Sequence, residues 1–508
     1  MPDNYIKMKY NKLNIFISFI FSIIALNSCT KNFKEINTNP ILVTEEVLKP
    51  ELLLTYVMKN SVFGIVNRGP VAAYGGYYNN PASGNVFLTR NWDDPFNTYY
   101  RNYIVNITQL IRITSAEPRR SNQNAMARIF RVWLYHHLTD VYGDIPYSEA
   151  VNEISQINPR PKYDTQESVY KDLLRELKEA VAGFSDADNQ FSYGDADIIM
   201  HGDVDLWKRF ANSLRLRLAM RIRFADAALA SQVVNEVVSG PLVDENSQNI
   251  FLATLDDNNT DNANPLYGVN QTQPLNLISS FTTTDNLKPL SDPRLPVFAK
   301  PSPYTGYRGL PLQINTVQGE RYQKDSVAFI GDYFLQKVFN IILINAAEVK
   351  FLKAEAALAG MIADNAQILY QQGIRLAMDQ YGVASAATNT YLASAAATLT
   401  GTTEQKLEQI IVQKWLGNYF NTYEGWAEYR RTGYPTIWTG AQLGDTQGNI
   451  PRRAIYPSDE YLKNRANVTE AASRLSNGDT YMSKIWWDKK PGLPIYHPKQ
   501  GQFPPETN

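Results

Sequence analysis

Apolar residues recur along most of the chain at the three- and four-residue spacing of an amphipathic helix. Asp94 and Pro95 suit the first positions of such a helix, and an apolar stripe follows from Phe96 to Ile111. Asp164 with Glu167 three residues later resembles a capping box before another stripe. The predicted helices span 44–66, 94–111, 121–141, 164–181, 203–224, 227–239, 343–359, 364–381 and 403–420. Since strand signals are few and short, we predict a mainly all-α fold.

Two of these segments form a recognisable pair. Small residues recur between Ala347 and Ala356, the segment ends at Gly360, and a second helix runs to Tyr381. Small side chains let two antiparallel helices approach closely, as in a tetratricopeptide unit of about 34 residues. The segments 94–111 and 121–141 suit a divergent copy of this pair. We therefore predict one scaffold of tetratricopeptide-like helix pairs with long irregular loops.

Two long stretches, 67–93 and 242–330, lack helical periodicity. The first is rich in Tyr, Gly and Asn and ends near Trp92, and the second is rich in Asn, Thr, Pro and Tyr. Loops of this length in a folded domain are usually functional. We therefore expect both stretches to be irregular and to contribute to a binding site.

The composition excludes several classes of protein. Of 508 residues 44% are hydrophobic, which is enough to bury a large core. The charges nearly balance, with 49 Lys and Arg residues and 50 Asp and Glu residues. Without a basic field to hold a polyanion, nucleic-acid binding is not expected. The single cysteine excludes a disulfide framework, and the chain lacks a phosphate loop, a Gly-x-Ser-x-Gly elbow and a His-Glu-x-x-His helix. We predict no cofactor and no catalytic residue.

Three weaker signals have competing interpretations. His136 and His137 are neighbours, so they lack the four-residue spacing of a helical metal site and are read as structural. The alternate oxygen ligands in 257–261 resemble the start of a calcium loop, but a solvated polar loop is favoured because the later Gly and Glu are missing. Asp93 and Asp94 beside Trp92 could serve a glycosidase, but Asp94 as a helix cap is favoured.

The N-terminus carries the features of a bacterial lipoprotein signal. A basic segment from Met8 precedes an apolar run from Leu13 to Leu26, and Asn27-Ser28-Cys29 follows. The run is too short to span a membrane comfortably, since a spanning helix needs about 20 apolar residues. We predict a signal peptide over 1–28, lipidation of Cys29, and one domain over 29–508.

Several blocks of the sequence now resemble the SusD/RagB family of nutrient-binding outer-membrane lipoproteins of Bacteroidetes. The blocks are Cys29, Asn32-Phe33, Asn37-x-Asn39-Pro40, the run Leu138 to Ala150, the run Trp207 to Arg221, Ala347 to Ala356, Glu424 to Pro435, and Trp486-Trp487-Asp488. They span nearly the whole mature chain.

This resemblance implies a single α-rich domain without a catalytic centre. Members of the family lie over a TonB-dependent channel of the SusC type, face the cell surface and deliver oligosaccharides, or less often peptides, to it. The shared blocks are implied to be scaffold, with Trp207, Asn212, Arg215 and Arg221 packing and tying loops and Gly143 ending a helix. The family's binding site varies between members, so the resemblance assigns no ligand residue.

The ligand residues are instead predicted from the chemistry of sugars, which offer apolar C–H faces and rings of hydroxyl groups. The predicted set comes from the two irregular stretches: Tyr74, Tyr77, Tyr78, Asn79, Trp92, Tyr267, Asn270, Tyr304, Tyr307 and Arg308. Ordinary packing is the competing role for each ring. If the rings form an exposed groove, Tyr77→Ala or Trp92→Ala abolishes binding and leaves the melting temperature nearly unchanged.

The leading hypothesis is thus glycan capture and delivery by an outer-membrane lipoprotein. Peptide capture by the same scaffold, a helical glycoside hydrolase and a structural adaptor remain the alternatives. Affinity is expected to be weak, at roughly 4 to 8 kcal/mol, because such sites are open to solvent.

Overall fold

The computed structural model describes residues 49–66, 69–79, 93–151, 158–257, 260–274, 277–312, 319–320, 322–439, 446 and 448–494. Contacts divide the chain into two units, Met1–Lys49 and Pro50–Asn508, and the helices and strands described here belong to the second unit. The predicted signal peptide, Cys29 and Trp92 lie outside the described residues. No helix in the described ranges combines the length and hydropathy needed to cross a membrane.

Helices dominate the fold, and the prediction of a mainly all-α class is confirmed. The helices are α1 (Pro50–Val66), α2 (Gly69–Tyr74), α3 (Asp93–Thr98), α4 (Val105–Ser115), α5 (Ser121–Tyr142), α6 (Gln166–Ala182), α7 (Val204–Ile222), α8 (Ala227–Val237), α9 (Pro265–Thr272), α10 (Phe281–Leu287), α11 (Leu295–Phe298), α12 (Ala346–Leu358), α13 (Ala366–Gln380), α14 (Ser385–Leu392), α15 (Thr403–Gly417), α16 (Thr422–Thr432), α17 (Ser458–Lys463) and α18 (Arg465–Ser473). A π-helix, Tyr99–Ile104, joins α3 to α4, so the stripe predicted over 94–111 is one interrupted helical segment.

Local capping residues set several of these boundaries. Asp203 accepts hydrogen bonds from the first backbone N–H groups of α7, and Thr402 forms a capping box with Gln405 at α15. Gly143 ends α5 with a φ of 83°, a backbone conformation that favours glycine. Neighbouring helices then pack in pairs, with α4 on α5, α5 on α6, α7 on α8 and α12 on α13.

Short strands occupy the regions between the helices. They are β1 (Tyr78–Asn79), β2 (Ile145–Pro146), β3 (Tyr163–Asp164), β4 (Ile250–Ala253), β5 (Ile278–Ser279), β6 (Ala299–Lys300), β7 (Phe329–Ile330) and β8 (Asn340–Ile344). Antiparallel pairing gives one sheet in the order β1-β5-β7-β6 and two ladders, β2-β3 and β4-β8.

The expectation that 67–93 and 242–330 are irregular is therefore wrong in part, because both stretches contain short helices and strands. The first contains α2 and β1, and the second contains α9, α10, α11 and four strands. Their elements are too short to show a period in the sequence. The sheet instead joins the two stretches, because β1 pairs with β5.

Buried ion pairs hold the helical layers together. They connect α7, α12 and α16. The pairs are Arg217 with Glu348, Arg221 with Glu424 and Glu428, and Arg431 with Glu355 and Glu428. Each of these side chains is at most 5% exposed. Removing one partner of such a network leaves a buried charge unpaired, so the network requires all its members.

The other family-block residues also serve the scaffold, as the resemblance implied. Trp207 donates its indole N–H to Asp197 at 2.7 Å, and Asn212 donates to the Pro241 carbonyl at 3.1 Å. Arg215 pairs with Glu236 at 2.6 Å. These contacts tie two loops and α8 to α7.

Candidate functional site

The predicted ligand residues that precede position 80 lie in the core. Tyr74, Tyr77, Tyr78 and Asn79 are between 0% and 7% exposed. The Tyr77 ring stacks on Trp415 with ring centroids 5.0 Å apart, and burial raises the pKa of its hydroxyl well above the ordinary value. The prediction that these side chains form an exposed platform is wrong. The three tyrosine rings are covered by the rings of Trp415, Tyr419, Phe420 and Trp426.

A different predicted segment does reach the surface. We call residues 302–309 the Tyr304 turn. The Tyr304 side chain is 79% exposed, and Tyr307 and Arg308 are half-buried beside it. The turn therefore groups three of the predicted residues, whereas Tyr267 and Asn270 lie on α9, which packs against residues 332–335.

Hydrogen bonds make the Tyr304 turn rigid. Ser302 and Gly306 exchange two backbone hydrogen bonds of 2.9 and 3.1 Å, and Gly306 has a φ of 61°. The buried Ser302 Oγ accepts from the backbone N–H groups of Tyr304 and Thr305 and donates to the Asp325 carbonyl. Because this frame fixes the backbone at Tyr304, little backbone freedom is lost when a ligand binds to the exposed ring.

The second half of the turn is anchored to neighbouring elements. The Arg308 guanidinium lies over the Tyr322 ring, 4.6 Å from its centroid, and the Arg308 carbonyl accepts from Ala328 N–H at 2.8 Å. Gly309 packs so closely on α10 that an added Cβ would lie 2.5 Å from the Ser280 carbonyl oxygen. This close approach fixes the turn against the start of α10.

Sequence reasoning missed residues that border the turn. Leu312 pairs with Thr439, and the preceding Trp438 lies against Phe281 of α10 with ring centroids 6.3 Å apart. Asp285 of α10 is near the same indole: burial raises the pKa of its carboxyl, and a hydrogen bond from Trp438 opposes that shift. No local sequence pattern links positions so far apart in the chain.

The end of β1 also lies at this border. The Asn79 amide donates to the Pro311 carbonyl at 3.2 Å, which places the end of β1 beside the end of the turn. The segment that carries Trp92 follows Asn79 in the sequence. The role predicted for Trp92 stays a prediction, because the residue lies outside the described part of the chain.

The histidine pair lies elsewhere, in the helical core. His136, His137 and Glu424 present ligand atoms within 4.8 Å of one another. The Glu424 carboxylate is already paired with Arg221 at 2.5 Å and lies 3.8 Å from Arg217. Because these guanidinium groups repel a cation, we interpret the cluster as part of the ion network.

The polar segment around 256–262 is tied to protein groups where it is described. Lys337 pairs with Asp256 at 2.6 Å, and the Asn262 amide donates to Asp257 at 2.7 Å. Asn259, one of the three alternate ligands of the calcium-loop interpretation, lies outside the described residues.

Packed helix pairs that carry a short sheet define a mainly α-helical fold class. A family model described as "SusD-like: Starch-binding associating with outer membrane" matches residues 53–457. The chain belongs to this SusD-like family.

Solved structures agree with this family. The chain is 27% identical to a chitin-binding protein with a TM-score of 0.77, covering 87% of this chain and 100% of that one. It is 26% identical to a chitin-binding SusD homologue from Flavobacterium johnsoniae, with a TM-score of 0.72 and coverage of 88% and 98%. A SusD homologue from Bacteroides ovatus is 27% identical, with a TM-score of 0.71 and coverage of 87% and 98%. Comparison of the sequence with curated proteins finds no match.

Proposed function

We propose that this protein is a non-enzymatic, lipid-anchored outer-membrane protein that captures oligosaccharides at the Tyr304 turn. It passes them to a SusC-like TonB-dependent transporter. The observation that carries the proposal is the rigid display of an exposed tyrosine, with Tyr307 and Arg308 beside it, on a SusD-like scaffold. The protein faces the cell surface in this proposal, anchored through Cys29.

The chemistry of the turn suits a sugar. The exposed Tyr304 ring offers an apolar face to sugar C–H groups, and its hydroxyl remains available for hydrogen bonding. Arg308 supplies N–H donors, and the half-buried Asp285 carboxyl lies on the neighbouring α10. Together these groups match alternating apolar and hydroxyl surfaces better than they match a charged ligand.

The relatives narrow the ligand class. Two solved structures are described as chitin-binding, and the family description names starch. Both are neutral glycans, so we propose a neutral oligosaccharide as the ligand. Peptide capture is retained as an outcome of the test.

The experiment measures binding of chitin oligosaccharides, malto-oligosaccharides and a peptide mixture to the purified mature protein by calorimetry. Tyr304→Ala is the test variant. Trp92→Ala tests whether the Trp92 ring also binds the ligand. Tyr56→Ala on α1 is the matched control, because Tyr56 is also an exposed tyrosine. We expect Tyr304→Ala to weaken glycan binding about three- to ten-fold, the range for loss of one aromatic contact.

If the protein binds peptides but no glycan, peptides would replace neutral oligosaccharides as the proposed ligand. Equal affinities in the wild type and Tyr304→Ala would move the site away from the turn. New reducing ends in a clean preparation incubated with glycan would overturn the non-enzymatic assignment.

A further inference from the structure

A concave surface lies where the β4–β8 ladder meets the end of α13 and the start of α16. Its cavity volume is about 230 Å³. Aromatic and amide side chains share the lining, among them Phe251, Tyr333, Phe339, Asn340, Gln380 and Asn421. None of its lining residues belongs to the Tyr304 turn. We call it the Tyr333 cleft.

The Tyr333 ring is an exposed but fixed aromatic surface. Its side chain is 37% exposed, and its hydroxyl donates to the Gln380 carbonyl at 3.1 Å. Edge contacts with Phe334 and Phe339, with ring centroids 5.1 and 6.0 Å apart, hold the ring from the other side. A held ring at a cleft can stack on the C–H face of a sugar ring without further ordering.

Asn421 contributes an unused hydrogen-bond acceptor to the cleft wall. It occupies the N-cap position of α16 but makes no capping hydrogen bond with its side chain. Its amide nitrogen donates to the Leu343 carbonyl at 3.5 Å, while its buried Oδ1 has no partner among the described residues. Buried polar atoms are normally paired, so this oxygen is suited to accept from a ligand hydroxyl or amide N–H.

The backbone before Asn421 is also unusual. Phe420 has a φ of 71°, a left-handed conformation that bulky residues rarely adopt. Its ring is held by Phe334, with centroids 4.6 Å apart. Such a conformation persists only where the surrounding packing imposes it, and here it places Asn421 in the wall of the cleft.

Charge and size limit the ligand class. Among the described residues that line the cleft, Asp379 is the one carboxylate and none is Lys or Arg. The Asp379 carboxylate accepts from the Asn246 amide at 2.9 Å. Anionic ligands are therefore disfavoured. The cavity is smaller than the roughly 300 Å³ at which sites for drug-sized ligands begin, so it encloses about one sugar ring.

We propose that the Tyr333 cleft is a second sugar site, which binds a single ring of a neutral saccharide. The ring stacks on Tyr333, and its hydroxyl or acetamido groups bond to the amides of Asn340 and Asn421. This proposal does not depend on ligand binding at the Tyr304 turn.

The test uses saturation-transfer NMR on the purified mature protein with two probes, methyl β-D-glucopyranoside and N-acetyl-D-glucosamine. Tyr333→Ala removes the ring, and Tyr333→Phe keeps the ring while losing the hydrogen bond to Gln380. Asn340→Ala removes an exposed side chain of the cleft lining. It provides a second test of the cleft if Tyr333→Ala unfolds. Tyr304→Ala is the control for the other site.

We expect saturable binding, at about millimolar Kd, of at least one probe to the wild type, to Tyr333→Phe and to Tyr304→Ala. Tyr333→Ala and Asn340→Ala are expected to weaken it about five-fold. No saturable binding of either probe to the wild type overturns the proposal. Loss of probe binding in Tyr304→Ala would also overturn the proposal. An equal loss of probe binding in Tyr333→Phe and Tyr333→Ala would overturn it as well.

Discussion

At the residue scale, two tyrosines of the predicted site have opposite roles. Tyr77 is fully buried, stacks on Trp415 and meets the edge of Tyr419 at 5.0 Å. Tyr304 is 79% exposed on its turn. Both occur among Tyr, Gly and Pro residues, so local composition does not distinguish a packing ring from a binding ring.

Tyr77→Ala is expected to lower the free energy of unfolding by about 3 to 5 kcal/mol, the usual cost of removing a large buried ring. Tyr77→Phe is the matched control: it keeps the ring and loses only hydroxyl contacts of 3.4 Å with the Asn418 and Asn421 carbonyls. Tyr304→Ala should change stability by less than about 0.5 kcal/mol. Urea titration measures all three, and an unchanged midpoint for Tyr77→Ala would contradict its place in the core.

At the element scale, the Tyr304 turn depends on its close contact with α10. Gly309→Ala places a Cβ 2.5 Å from backbone atoms of Ser280 and Phe281, which cannot move as a flexible side chain would. We expect a loss of about 1 to 3 kcal/mol of stability and weaker glycan binding, because the turn must shift. Gly268→Ala in α9 is the control, since an added Cβ there meets nothing within 4 Å. Equal binding by both variants would show that the position of the turn is unimportant.

The ion network that joins α7, α12, α15 and α16 predicts a pH dependence. Burial raises the pKa of Glu428, but Arg431, Lys414 and Arg221 lower it by more, so its pKa stays below the usual range. The pKa of Glu355 is lowered in the same way, by Arg431 and Arg223 against the effect of burial. In the unfolded chain both carboxyl groups titrate near pH 4.3, at about their ordinary pKa.

Because these folded-state pKa values are depressed, the stabilisation is present above about pH 4.3 and is lost as the pH falls through them. We expect the free energy of unfolding to decrease between about pH 5 and pH 3, by up to about 1.4 kcal/mol per pH unit for each group. Urea midpoints across this range measure it. Glu428→Gln should show a shallower slope, and a flat wild-type profile would contradict the network's role.

At the scale of the whole molecule, the proposed anchor decides where the protein resides. Cys29→Ala should release the protein from the membrane fraction, because lipidation supplies about 0.8 kcal/mol for each acyl CH₂ that enters the bilayer. Fractionation after feeding with labelled palmitate measures the effect. A wild type that is membrane-bound but unlabelled would exclude lipidation as the anchor.

Much of the fold was predictable from local pattern. The helices from α5 to α8 and α12, α13 and α15 lie within a few residues of the predicted bounds, because their apolar stripes and caps are contained within each segment. The family blocks likewise indicated a scaffold role for Arg221 and its neighbours. Tyr304, Tyr307 and Arg308, which lie on the exposed turn, were also among the predicted ligand residues.

Only the tertiary structure decided three features of the site. They are the burial of Tyr74 to Asn79, the border formed by Trp438 and Asp285, and the Tyr333 cleft. Each depends on contacts between distant segments: Trp415 covers Tyr77, and α13, β8 and the start of α16 together line the cleft. A ring's exposure is set by what packs against it. Local periodicity describes one segment at a time, and it therefore cannot state which distant segment will cover a residue or leave it open.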